Sequence, residues 1–177
     1  MDPIAPLILT LRFDERSFAF FNEQRQRYFP PERNLIPAHL TLFHYLPGVH
    51  LLDIQRDIAA SASRQMPFHL EVTSLRSLGR GVAYNLSSSE LTGLRRHLAH
   101  LWNDWLKPQD RQKHQPHVTV QNKADPTQAR ALLEELTEGF QPFQVTAIGL
   151  DLWWYRGGPW EKASSFLFAD ETQTATS

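Results

Sequence analysis

Two short segments repeat one pattern of histidine, apolar residue, threonine, apolar residue: His39-Leu40-Thr41-Leu42 and, 78 positions later, His117-Val118-Thr119-Val120. Alternate side chains of a strand face the same way. Each histidine therefore shares a face with its threonine while the apolar residues point into a core. Near neutral pH one imidazole can accept a proton while another donates one, and hydroxyl groups can stabilise charge on phosphoryl oxygens. The pattern predicts a catalytic set of His39, Thr41, His117 and Thr119 that acts on a phosphate ester.

Neither motif is informative alone. Threonine is favoured in strands whatever its function, and a histidine at the start of a strand is usually structural or exposed. The prediction depends on the pairing of two complete motifs, each of which follows a proline, Pro37 or Pro116.

The elements that would carry the motifs recur in the same order in both halves of the chain. Each half is predicted to contain a strand, a helix, a motif strand, a helix and a strand. The predicted strands cover 6–13, 39–46, 67–78, 82–86, 117–121, 141–154 and 163–168. The predicted helices run from the cap Asp14 to 28, over 51–65, from the cap residues 87–90 to 106, and from Asp125-Pro126 to 138.

This repeat predicts an α+β fold in a single domain over residues 1–170. We expect two intertwined lobes, roughly 6–80 and 81–168, related by a pseudo-two-fold axis. Each lobe would be an antiparallel sheet flanked by helices, and the two motifs would line a central cleft. The polar, threonine-rich residues 171–177 are expected to form a disordered tail.

The composition limits the classes of function. The formal net charge is -1, so the chain has no global basic field for long nucleic acid. There is no cysteine, which excludes disulfides and zinc-thiolate sites. We find no acidic cluster, no zinc-type histidine spacing, no signal peptide and no transmembrane span. We therefore expect a cytoplasmic monomer without metal or cofactor, and without a membrane or protein partner.

The substrate contacts are predicted from strand faces and charge. Phe43 and Tyr45 would share the face of His39 and could stack on a base, although core or rim packing is the more common role of such residues. Arg12 and Arg33 are candidates to neutralise phosphate, and Lys123 would share the face of His117 if its strand extends that far.

The remaining aromatic and histidine residues are assigned to packing or to the surface. The six other histidines, among them His44 and His114, are predicted to be surface or packing residues. The five tryptophans are predicted to anchor the core and the interface between lobes. Trp153 and Trp154 would point to opposite faces of one strand, so that one of them could reach the cleft.

At this point the chain resembles a known family, the two-histidine (2H) phosphoesterases, which include the bacterial RNA 2′,3′-cyclic phosphodiesterases also called 2′-5′ RNA ligases. The resemblance rests on the two motifs and on residues 31–35 upstream of the first, and it covers about residues 6–168. The chain departs from many members at Ile36-Pro37-Ala38, which separates this upstream stretch from His39.

The resemblance implies metal-independent opening of a 2′,3′-cyclic phosphate to a 2′-phosphate, with His117 as general base and His39 as general acid. The residues alone allow the reverse assignment equally. The reverse reaction would join an RNA 5′-hydroxyl to the cyclic phosphate in a 2′-5′ linkage. The implied partners are RNA 3′ ends or small cyclic-phosphate nucleotides.

Two alternatives stay open. The cleft could recognise a nucleotide or an RNA end without turnover, although both motifs are complete. The same motifs would also serve a phosphodiesterase acting outside RNA, for example on ADP-ribose cyclic phosphate.

Overall fold

The computed structural model describes residues 3–170, which form seven strands and five helices. The strands are β1 (Leu7–Phe13), β2 (Leu40–Leu46), β3 (Phe68–Ser77), β4 (Val82–Ser87), β5 (His117–Gln121), β6 (Phe143–Trp154) and β7 (Glu161–Leu167). The helices are α1 (Glu15–Tyr28), α2 (Leu51–Ser63), α3 (Ser89–Leu101), α4 (Pro108–Arg111) and α5 (Pro126–Glu138). The predicted α+β fold with antiparallel strands is confirmed. The predicted disordered tail, 171–177, lies outside the described residues.

All strands join one antiparallel sheet in the order β2-β1-β6-β3-β4-β5, and β7 pairs with β6 beside this path. The long strand β6 links its two halves: residues 143–147 pair with β3, whereas residues 149–154 pair with β7. On its other side, β6 pairs with β1 over residues 147–154. The two terminal strands β2 and β5 approach each other to within 8 Å between Cα atoms. The sheet therefore curls until its edges, which carry the two motifs, face each other.

The two halves of the sequence exchange elements between the lobes. We define the first lobe as β1, β2, β7 and the second part of β6, with α2 and α3. The second lobe contains β3, β4, β5 and the first part of β6, with α1 and α5, since α1 packs on β5 and α5 packs on β3. Thus β3 and α1, which precede residue 80, belong to the second lobe, and β7 belongs to the first.

Alternation along β1 shows how the sequence separates core from cleft. Leu7, Leu9 and Leu11 are buried in the hydrophobic core. Thr10 and Arg12 point to the opposite face of the sheet, which lines a cavity. The face bearing polar side chains is therefore the one available to a ligand.

Helix boundaries follow the cap residues. Asp14 accepts a hydrogen bond from the Ser17 amide at 2.8 Å, and Ser88 accepts one from the Leu91 amide at 3.1 Å. Helix α3 ends at Leu101 instead of residue 106, and a 3₁₀ turn over Asn103–Trp105 follows. Asn103 and Asp104 are poor helix formers, which explains the early end. Within residues 3–170 no helix is long and apolar enough to cross a membrane.

Candidate active site

Strand β2 contains a β-bulge directly after its motif threonine. Thr41 pairs with Thr10 of β1, but the next residue of β1, Leu9, pairs with Phe43. Leu42 is therefore an extra residue in β2, which turns the following side chains to new faces.

Strand β5 repeats this bulge at the equivalent position. Thr119 pairs with Ala83 of β4, whereas Val82 pairs with Gln121. Val120 is the extra residue. The duplication predicted from the sequence therefore extends to the register of hydrogen bonds around each motif.

The two motif imidazoles are held in the same way. Nδ1 of His39 lies 2.8 Å from the carbonyl oxygen of Pro37, and Nδ1 of His117 lies 2.8 Å from that of Gln115. A carbonyl oxygen only accepts, so each Nδ1 carries a proton. In the neutral ring Nε2 then has a free lone pair, and neither Nε2 makes a hydrogen bond to any described residue. Each ring can accept a proton at Nε2, or donate one when charged.

Burial favours the neutral form of both imidazoles. The pKa of His39 is lowered to about 4, mainly by desolvation and also by the positive charges of Arg25 and His117, against a hydrogen bond to Pro37 that raises it. Desolvation also lowers the pKa of His117, with a smaller contribution from Arg76. Because the charge of His117 lowers the pKa of His39, the two rings lie close enough to interact electrostatically. At pH 7 the neutral form of both rings is therefore favoured in the free protein.

The two motif strands are fixed by a reciprocal pair of contacts. Nε2 of His114, which precedes the second motif, donates to the carbonyl oxygen of Thr41 at 2.9 Å. Nη1 of Arg25, which precedes the first motif, donates to the carbonyl oxygen of Thr119 at 3.2 Å. Both threonine hydroxyls are without a hydrogen-bond partner among residues 3–170. They are free to donate to a ligand.

The bulge in β2 overturns the predicted role of Phe43. Strict alternation would place Phe43 beside Thr41, but the extra residue Leu42 turns the ring into the core, fully buried, with its centroid 5.1 Å from that of Trp102. It offers no surface to a base. Tyr45 is 46% exposed and its ring centroid lies 5.7 Å from the ammonium group of Lys107.

After the bulge, the side chain of His44 projects from the sheet face on which strict alternation would place Phe43. Its Nδ1 lies 3.2 Å from Oδ1 of the buried Asp110, and its charge would lower the pKa of both motif histidines. His44 therefore belongs to the cleft. The sequence-based assignment of His44 to the surface or to packing did not include this position.

A cavity of about 480 Å³ opens beside His39. Its charged and aromatic lining includes Arg12, His39, Asp151, Trp153, Trp160 and Lys162. The ring of Trp160 lies 4.6 Å from the imidazole of His39 between centroids. Arg12 and Lys162 each approach the Asp151 carboxylate at 3.8 Å. The cavity therefore offers an aromatic wall, and a cluster of two cations around one carboxylate, next to one of the two imidazoles.

The other predicted contacts lie elsewhere. Arg33 is exposed in the 3₁₀ turn Pro31–Arg33, and Lys123 is exposed in a left-handed turn with φ 58°, beyond the end of β5. Gln121, the last residue of β5, is buried. Among the predicted substrate contacts Arg12 alone lines the cavity. The sequence did not predict that Asp151, Trp160 and Lys162 line the cavity. The alternation of Trp153 and Trp154 indicated only that one of the two tryptophans faces the cleft.

Metal-binding side chains do not gather in the described structure. Within residues 3–170, no group of three or more histidine, cysteine, aspartate or glutamate side chains could hold a metal ion.

Solved structures of known proteins share this fold. Among solved structures, TT0787 of Thermus thermophilus superposes with a TM-score of 0.66 at 17% identity, over 94% of this chain and 99% of that one. E. coli LigT superposes with TM-scores of 0.58 in complex with 3′-AMP and 0.59 in complex with NADP+, at 17% and 16% identity, with the same coverage. These similarities establish the fold.

No curated protein sequence matches the chain. The sequence model of the 2′-5′ RNA ligase superfamily matches residues 13–159, which include both motifs. The chain therefore belongs to the 2′-5′ RNA ligase superfamily, the two-histidine phosphoesterases.

Proposed function

We propose that this protein hydrolyses the 2′,3′-cyclic phosphate of RNA 3′ ends or of nucleotides to a 2′-phosphate. The observation that carries the proposal is the repeated motif geometry: two imidazoles with Nδ1 on a backbone carbonyl and Nε2 unbonded, each beside a threonine with a free hydroxyl. This arrangement provides one proton acceptor, one proton donor and two hydrogen-bond donors for a phosphoryl group. Each proton transfer is typically worth about 10²–10⁴ in rate.

In the proposed reaction, Nε2 of His117 takes a proton from water as the water oxygen bonds to phosphorus. The bond from phosphorus to the ribose 3′-oxygen breaks, and Nε2 of His39 gives that oxygen its proton. The hydroxyls of Thr41 and Thr119 donate to the non-bridging oxygens as charge collects on them. The product is a nucleoside 2′-phosphate.

The cavity supports this assignment of acid and base. The departing 3′-oxygen remains part of the nucleoside, so the acid must stand beside the nucleoside. The cavity lined by Trp160 adjoins His39, and His117 is absent from its lining. Bases commonly stack on aromatic side chains of this kind. Water would therefore attack phosphorus from the side of His117.

The low pKa of His39, about 4, opposes its role as acid in the free protein. The phosphate anion acts in the other direction, because a nearby negative charge raises the pKa of an imidazole. A cyclic substrate with sulfur in place of the bridging 3′-oxygen separates the roles, since a thiolate leaves without a proton. It should restore most activity to His39→Ala and none to His117→Ala. The opposite pattern would exchange the two assignments.

The experiment that tests the function is incubation with the four 2′,3′-cyclic nucleotides and a short RNA with a cyclic phosphate end, in EDTA. We expect 2′-phosphate products, and none from the folded His39→Ala, His117→Ala double variant. Bound nucleotide returned unchanged would support a recognition protein instead. Turnover of ADP-ribose cyclic phosphate alone would move the substrate outside RNA.

Ligation is the same displacement with a different nucleophile. An RNA 5′-hydroxyl would replace water as the nucleophile and yield a 2′-5′ phosphodiester. Absence of joined product at high concentrations of both RNA ends would restrict the proposal to hydrolysis.

A further inference from the structure

The second lobe presents an arginine to the cleft on the same sheet face as its motif threonine. Arg76 of β3 pairs with Ala83 of β4, and Ala83 pairs with Thr119 of β5. Residues directly opposite each other in a sheet project from the same face. Arg76 thus lies two strands from Thr119, about 10 Å by strand spacing.

The residue between Arg76 and Thr119 is too small to separate their side chains. Ala83 is fully buried, lies outside the hydrophobic core cluster and carries only a methyl group. The long side chain of Arg76 can therefore lie across β4 towards the second motif. Its contacts confirm this direction, because its Nη1 donates to Oε1 of Gln115 at 2.8 Å. Gln115 is the residue whose backbone carbonyl holds His117.

The remaining donors of this guanidinium have no protein partner. Nε of Arg76 is buried without a hydrogen bond, and Nη2 makes none to any described residue. Across residues 3–170, no carboxylate lies within 4.0 Å of Arg76. An unsatisfied buried donor costs about 1–3 kcal/mol, and such groups in native structures need an explanation. Nε and Nη2 form the edge with which a guanidinium binds phosphate in bidentate fashion. Because Nε is buried in the ligand-free protein, this edge can bind a ligand only after the side chain shifts.

The first lobe carries the opposite charge at the equivalent position. There Asp151 pairs with Thr10, and Thr10 pairs with Thr41. Two cations, Arg12 and Lys162, already approach this carboxylate. The two walls of the cleft therefore differ: the wall beside His39 holds tryptophans and two cations that share one carboxylate, whereas the wall beside His117 holds a cation that pairs with no carboxylate of the described residues.

We propose that Arg76 is the phosphate-binding residue of this site, donating from Nε and Nη2 to non-bridging oxygens of the phosphoryl group on the His117 side of the cleft. The inference rests on the proposed function for the identity of the substrate. Arg76 balances the charge of the cyclic phosphate in the ground state and the added charge of the transition state. Both KM and kcat should therefore depend on it.

The test compares Arg76→Gln with two other variants in two assays. The first assay is titration with inorganic phosphate, followed by the NMR signals of the histidine rings. The second is kcat/KM on a 2′,3′-cyclic nucleotide. Arg76→Gln should lose at least tenfold in both, and Arg76→Lys should fall between it and the wild type because an ammonium group lacks the bidentate edge.

The comparison of the two assays separates binding from positioning, and one control variant tests general charge effects. If Arg76→Gln lost kcat/KM but kept wild-type affinity for phosphate, Arg76 would be a positioning residue that acts through Gln115 and His117, and the proposal would be overturned. Arg130→Gln removes a charge from α5, which packs on β3 and β4 of the same lobe, and should change neither quantity.

The two proposals fail in different ways. An inactive wild type would refute the proposed function, while the phosphate titration would still decide the role of Arg76. Wild-type phosphate affinity in Arg76→Gln would overturn the inference. If Arg76→Gln did not fold, Arg76→Lys would decide, because it keeps the stem and the charge; an unchanged affinity and kcat/KM in that variant would refute the bidentate contact.

Discussion

At the scale of single residues, the two motif imidazoles differ from structural histidines by what they leave unbonded. Nδ1 of each is fixed by a carbonyl, and Nε2 makes no hydrogen bond to the described residues. We expect His39→Ala and His117→Ala each to lose about 10²–10⁴ in kcat. The melting temperature should stay nearly unchanged, because half-buried cleft side chains carry little packing energy. Steady-state kinetics beside thermal melts measures both; a large drop in stability in each variant would instead mark the rings as structural.

The pH dependence of the rate follows from the two lowered pKa values. Catalysis needs one protonated and one neutral imidazole, and the pKa of His39 is about 4 while that of His117 is below 6.5. The singly protonated pair is therefore most populated between these values. Its proton is mainly on His117, and the productive form, with the proton on His39, is a smaller fraction of the same charge state and follows the same pH dependence. We expect kcat/KM, which reports the free enzyme, to peak between pH 4 and 6.5 and to fall as pH rises further. A maximum in kcat/KM well above this range would contradict these pKa shifts.

At the scale of elements, the sequence predicts the strands well and the faces of their residues less well. The structure agrees with the predicted cap at Asp14, with the helix start at Asp125-Pro126 and with the length of β5. The bulge in β2 could not be predicted, because it depends on pairing with β1 and leaves no local signal. It buries Phe43 and brings His44 to the cleft, so a prediction based on strict alternation was wrong for Phe43.

The free edge of β2 is closed by the segment that precedes the second motif. The buried carboxylate of Asp110 accepts hydrogen bonds from the amides of His44 and Tyr45 at 2.8 and 2.9 Å. Asp110→Ala would leave both amides unsatisfied at a cost of about 1–3 kcal/mol each. We expect urea denaturation to show a loss of about 2–6 kcal/mol on that basis. The stability of Asp104→Ala, which changes a nearby exposed carboxylate, should be within about 0.5 kcal/mol of the wild type. Equal losses of stability in the two variants would show that the hydrogen bonds of Asp110 to β2 contribute nothing.

The hairpin of β6 and β7 supplies the aromatic wall of the cavity. Trp160, just before β7, stands beside His39 and 6.2 Å from the ring of Trp153 between centroids. If bases stack there, Trp160→Ala should weaken nucleotide binding by about 1–3 kcal/mol. Because stacking acts before and during the reaction alike, KM should rise more than kcat falls. Isothermal titration with a 2′-nucleotide measures the affinity, and an unchanged Kd would place the base elsewhere.

At the scale of the whole molecule, the internal repeat indicates two equivalent motifs but not which strands share a sheet. Strand β3 pairs with β6, which follows it only after two further strands and three helices, and α1 crosses to the lobe that carries the second motif. Such pairings depend on burial of whole faces and not on local pattern. Each motif is tied to the other half of the sequence: Arg25, from the first half, binds the backbone of β5, and His114, from the second half, binds that of β2. Formation of the site and folding of the molecule are therefore coupled.

This coupling predicts acid sensitivity of the fold. Burial lowers the pKa of both His39 and His114 to about 4, whereas in the unfolded chain it is near 6.5. Between these values the unfolded chain binds more protons, so the contribution to stability is complete above about pH 6.5 and is lost as pH falls towards 4. Each ring contributes a slope of at most about 1.4 kcal/mol per pH unit. Urea denaturation across this pH range should give a shallower slope for His114→Gln, which can still donate to Thr41, than for the wild type. His97→Gln, an exposed exchange on α3, should keep the wild-type slope, and identical slopes in all three proteins would show that folding does not lower the pKa of His114.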